Sequence, residues 1–137
     1  MEESTLKYWK DAGHVARRTL EAMKLELTPG KTFHEVIEAA ERYIHRHGGK
    51  PAFPGTIAVN DLAAHFTTDH AINQVEGWDG EMVLQKGDCV KIDFGVHIKG
   101  HIADNALTFE IGNGNEHTEQ IKAAKEARDA AIEMMHP

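Results

Sequence analysis

The chain has 137 residues, a formal net charge of −7, 41% hydrophobic and 27% charged residues. That is long enough for one domain with a real core and too apolar for a disordered chain. It is also too acidic for a protein that binds nucleic acid by neutralising phosphates. Cys89 is the only cysteine, so no internal disulfide forms and a reducing cytoplasm fits best. The start is polar, without an apolar signal core, and no apolar run reaches the length of a membrane span.

Residues 4–27 read as a first helix, with Leu6, Trp9, Ala16, Leu20, Met23 and Leu27 as its packing stripe. Thr28-Pro29-Gly30 stops it. Thr32-Phe33-His34-Glu35 is a capping box that opens a second helix, whose apolar face is Phe33, Val36, Ile37, Ala40 and Ile44. Gly48-Gly49 ends that helix. His34, His45 and His47 read as exposed helix residues, since nothing pairs with them locally. An extended, proline-bounded segment follows at 50–55, then a short strand at 56–59, a turn at Asn60-Asp61 and a further extended segment at 62–67. Residues 68–87 read as an exposed excursion, with a short strand at Met82, Val83 and Leu84. After a loop at 112–115, Thr118 caps a third helix that carries Ile121, Ala124, Ala127, Ala131, Ile132 and Met135.

That third helix and its exit at His136-Pro137 loosely echo the first helix and its exit at Pro29. Two accounts stand side by side. Either an αβ unit is duplicated, and the chain holds one full unit and the first helix of the next, or helices of similar composition look alike.

The stretch at 91–109, KIDFGVHIKGHIADNALTF, reads as a β-hairpin. Ile92, Phe94 and Val96 alternate with Lys91, Asp93, Gly95 and His97 on the first arm. Ile102, Asp104 and Ala106 alternate with Ala103, Asn105 and Leu107 on the second. A two-residue turn at Lys99-Gly100 sets Ile98 opposite His101, Gly95 opposite Asp104 and Asp93 opposite Ala106. Asp93 and Asp104 are then diagonal neighbours, roughly 7–8 Å apart at Cα. They share a face in either plausible register, and Ile92, Phe94 and Val96 point to the core. Two carboxylates on one face repel unless a cation lies between them, and a divalent metal resolves this. Gly95 would leave room for the ion. The plain alternative is a pair of solvated aspartates on an exposed face.

PAFP at 51–54, VNDLAAHFT at 59–67 and KIDFGVHIKGHIADNALT at 91–108 together resemble the type II methionine aminopeptidases of peptidase family M24, archaeal ones in particular. The resemblance runs over nearly the whole chain. It implies an α+β pita-bread fold, of which residues 1–137 are the amino-terminal portion of one catalytic domain: an αβ half with a curved antiparallel sheet backed by helices. It implies removal of the initiator methionine from nascent chains, with two divalent ions (Co, Mn, Fe(II) or Zn) as cofactors. Asp93 and Asp104 would be metal ligands. His65 would donate a hydrogen bond near the scissile peptide, as catalytic and substrate-binding residue. Phe53 would line the apolar pocket for the methionine side chain. Taken by themselves, His65 also reads as an ordinary histidine and Phe53 as plain core.

The resemblance further implies that a histidine and two glutamates complete the metal site from a second half, absent here. On that expectation the isolated chain has little peptidase activity and needs a complementing second half. Two departures from the family pattern stand out: the stretch between His65 and Asp93 is longer, and Thr68 replaces the usual proline. Expected partners are a nascent polypeptide beginning with Met, the ribosome and the second half, with no nucleic acid and no membrane. The alternatives are a non-catalytic binding module for the ribosome or another protein, and an Xaa-Pro-specific peptidase.

Overall fold

The computed structural model describes residues 3–62, 65–68, 82–112 and 114–136. Helix α1 runs over Glu3–Met23 and α2 over Phe33–Arg46; strands β1 (Lys50–Pro51), β2 (Thr56–Val59), β3 (Cys89–Ile98) and β4 (His101–Glu110) follow; α3 is Thr118–Glu133.

α1 buries Ala12, Val15, Ala16, Thr19, Leu20 and Met23, a helical three-and-four spacing. The buried Thr19 hydroxyl donates to the Val15 carbonyl at 2.8 Å, so it needs no outside partner. The first turns do not join this stripe: Leu6 is 43% and Trp9 41% exposed. The Trp9 ring meets His101 edge-on instead, at 5.2 Å. α2 begins with the capping box expected. Thr32 accepts from the Glu35 backbone, and the Glu35 carboxylate accepts from the Thr32 backbone at 2.8 Å. Its buried face is Phe33, Val36, Ile37, Ala40 and Ile44.

β3 is the centre of the sheet. On one edge it pairs with β2 over its first half (Thr56↔Asp93 to Val59↔Val90) and with β1 over its last residues (Lys50↔His97, Pro51↔Val96). On the other edge it pairs with β4 from Cys89↔Glu110 to Ile98↔His101. All pairs are antiparallel. Val90, Ile92, Phe94 and Val96 are buried on the face that α1 and α2 cover. The opposite face carries Asp93, Gly95 and His97 from β3 and Ile102, Asp104 and Ala106 from β4, and those three β4 residues are exposed.

Two expectations are corrected. The 82–84 segment, expected as a short strand, makes only an isolated bridge. Val83 bridges Thr32, and Gly30 and Phe33 donate to the carbonyls of Leu84 and Met82, so the segment pairs with the linker between α1 and α2. α3 starts with His117 in the cap position, without a side-chain cap bond, and Thr118 is its first helical residue. α3 buries none of its residues: Ile132 is 57% and Met135 75% exposed. It lies against β4 alone among the neighbours it contacts substantially, too little surface to cover an apolar stripe.

Candidate metal and substrate site

The hairpin turn sets the site's register. Lys99 and Gly100 have φ of 49° and 83°, the two positive values that a tight two-residue hairpin turn needs. Gly95 then stands opposite Asp104, and Asp93 opposite Ala106. The two carboxylates are diagonal neighbours on the open face, as the alternation requires.

Asp93 is half-buried, and its Oδ1 is buried without a hydrogen-bond partner among the described residues. Burial holds its carboxyl above the usual carboxylate range, and the charge of Asp104 adds to the shift. His65 opposes it. The Asp93–Asp104 pair therefore brings two carboxyls together, with one buried oxygen that has no hydrogen-bond partner among the described residues. Such a donor set fits a divalent cation with hard oxygen ligands. Among the described residues no third His, Cys, Asp or Glu joins the pair in a cluster able to hold an ion.

His65 lies on a short strap beside β2. Its backbone φ is 72°, in the left-handed region. The strap is tied to the sheet by the Ile57 N–H, which donates to the Phe66 carbonyl at 2.9 Å. Phe66 packs edge-on against Phe33, 6.2 Å between ring centres. Because Thr56 pairs with Asp93, a strap on β2 brings His65 near enough for its charge to be felt by the carboxylate.

Phe53 reaches the same face. A Cβ built on Gly95 would lie 2.2 Å from the Phe53 ring. The space at Gly95 is therefore filled by that ring, and the expectation that it leaves room for an ion is overturned. Glycine is required there because an aromatic ring crosses the strand. Phe53 and Pro54 also wall a cleft of about 650 Å³ that reaches Thr67, Thr68 and His34. A second cleft, of about 480 Å³, runs from Asp93, Thr56 and Ala106 to Lys125 and Arg128 of α3.

Asp93 and Asp104 therefore share the open face and the Phe53 ring crosses it at Gly95, while His65 is linked to them only through its effect on the Asp93 carboxyl. His34 is exposed, as expected of it, but it has partners that were not expected. Its Nδ1 is 3.3 Å from the Thr68 hydroxyl and its Nε2 3.5 Å from Glu38. The Glu38 partner was within reach of an i, i+4 reading, but Thr68 is too far along the chain for any local signal. Much of the longer stretch between His65 and Asp93, residues 69–81, lies outside the described residues, as do Ala63 and Ala64.

An antiparallel sheet with helices on one face and a carboxylate pair on the other corresponds to one half of a pita-bread fold. The chain belongs to metallopeptidase family M24, whose profile matches residues 7–137. It is 39% identical over 124 residues to a methionine aminopeptidase of Thermococcus onnurineus, covering 90% of this chain and 39% of that protein. It is 37% identical over 135 residues to one of Archaeoglobus fulgidus, covering 98% and 43%. Among solved structures, a methionine aminopeptidase from Thermotoga maritima superposes with a TM-score of 0.82 at 25% identity, over 100% of this chain and 55% of that one. A prolidase from Pyrococcus horikoshii OT3 superposes at 0.81 and 28%, over 99% and 37%. The chain thus spans about two fifths of the length of the curated relatives it matches.

Proposed function

We propose that these residues form part of a metal-dependent aminopeptidase that removes the initiator methionine from nascent chains. The observation that supports this most directly is the buried Asp93 oxygen beside Asp104, which has no hydrogen-bond partner among the described residues. Asp93 and Asp104 would hold the divalent ions, Co, Mn, Fe(II) or Zn. Such ions, when bound, act as Lewis acids towards a peptide carbonyl. His65, held beside the carboxylates, donates a hydrogen bond to the peptide being cut. Phe53 and the strand at Gly95 give the thioether side chain an apolar wall.

Two carboxylates do not complete a two-metal site. The remaining ligands are to come from sequence beyond these residues, in the same product or in a separate second half. The isolated chain is accordingly expected to be nearly inactive. A cytoplasmic site of action fits a lone cysteine, and among the described residues no helix is long and apolar enough to cross a membrane. The nascent chain, and through it the ribosome, is the expected partner.

The test is methionine release from a Met-Ala-Ser peptide by the chain alone and with a candidate second half, with and without added metal. Metal-dependent release in the completed protein supports the reading. A stable complex without release counts against it. The likeness to a prolidase favours a second reading, cleavage of Xaa-Pro peptides, and the same assay on an Ala-Pro peptide separates the two.

A further inference from the structure

We propose that His34 is a positioning residue for His65 and acts through Thr68; the proposal rests on the reading of His65 as the group that meets the substrate. His65 is not glycine, yet its φ is 72°, a conformation that an L residue keeps only where its surroundings hold it. Two anchors placed directly after it help to hold it. Phe66 is set edge-on against Phe33, and the Thr68 hydroxyl meets His34 Nδ1 at 3.3 Å. Both anchors stand on consecutive residues of the first turn of α2, next to the Thr32 cap that fixes where the helix begins.

The His34 ring is itself held from its other side, with Nε2 3.5 Å from the Glu38 carboxylate one turn on. Thr68 is only 8% exposed, so loss of this contact leaves its hydroxyl with little access to bulk water. The strap cannot swing away from β2 without breaking the His34–Thr68 contact and the Ile57–Phe66 bond together. The helix start thus holds 66–68, and with them the position of His65 on the strap.

The test uses the 137-residue chain. Amide hydrogen exchange at Ile57 reads the strap, because that N–H is held by the Phe66 carbonyl. Thr68→Val and His34→Ala should each speed exchange at Ile57 roughly three- to tenfold, the loss of one side-chain hydrogen bond. Each should also move the His65 imidazole resonances, while the amides of Ile92 and Phe94 keep their rates. The double variant should be no faster than either single one, since both cut the same link. Thr68→Ser, which keeps the hydroxyl, should restore the original rate. Unchanged exchange at Ile57 in both single variants overturns the proposal. So does acceleration spread evenly over β3, which marks general loss of stability. The reading of His65 fails separately: His65→Ala with undiminished methionine release in the completed enzyme removes the substrate contact and leaves the exchange result standing.

Discussion

The ring of Phe53 lies across Gly95, so close that a methyl group on that glycine would sit 2.2 Å from the aromatic carbons. Gly95 also faces Asp104 and stands two residues from Asp93. One glycine therefore lets an apolar wall and a carboxylate pair share a single face.

Gly95→Ala is expected to push the Phe53 ring off the strand. Overpacking of this kind costs about 1–3 kcal/mol. An unfolding free energy from urea titration lowered by that amount checks it. Phe53→Ala combined with Gly95→Ala should recover part of the loss, because the second change removes the clash. If the double variant is simply the sum of two losses, the ring does not occupy that space.

Asp93 has a folded pKa raised by burial and by Asp104. Below the unfolded pKa, about 3.9, both states are protonated and Asp93 has no effect. As pH rises from there to the raised folded value, the unfolded state loses the proton first, so metal-free stability falls. Asp93→Asn should abolish that fall. Urea melts of both proteins across this pH range, in chelator, decide it; parallel curves would show that Asp93 is not under strain.

Divalent metal should reverse the penalty. Mn²⁺, Co²⁺ or Zn²⁺ is expected to raise the melting temperature of the chain, with chelator undoing the rise. At free metal tenfold above the dissociation constant the gain is about 1.4 kcal/mol. Asp93→Ala and Asp104→Ala should each lose most of the response, as measured by scanning calorimetry. An equal rise in both variants would place the ion elsewhere.

Thr32→Ala removes the side chain that caps α2 and should cost about 1 kcal/mol. The Glu35 carboxyl lies below its usual range because it accepts from the Thr32 backbone, with further help from the Thr32 side chain. Its contribution is thus present above the unfolded pKa and lost as pH falls through the folded one. The wild-type protein should therefore lose helix-start stability in acid, and Glu35→Ala should flatten that part of the profile.

Much of this arrangement is legible in the residues themselves. The Lys99-Gly100 turn and the period-two alternation specify the hairpin register, and with it the shared face of Asp93 and Asp104, because a tight turn leaves no freedom in pairing. The capping box at Thr32 and Glu35 is equally local. Other features are not local. The exposure of Leu6 and Trp9 follows from where α1 crosses the sheet. The bare apolar stripe of α3 follows from what it lies against. The contact of His34 with Thr68 joins residues 34 apart, beyond any helical or strand period.

The chain's order of residues by itself determines which side chains alternate, where helices begin and which two acids share a face, since these depend on backbone geometry over a few neighbours. Tertiary structure alone decides what fills the space at Gly95, what holds His65 at a positive φ, and why one oxygen of Asp93 is left buried without a partner among the described residues. Those are properties of distant segments brought into contact, and no periodicity along the chain encodes them.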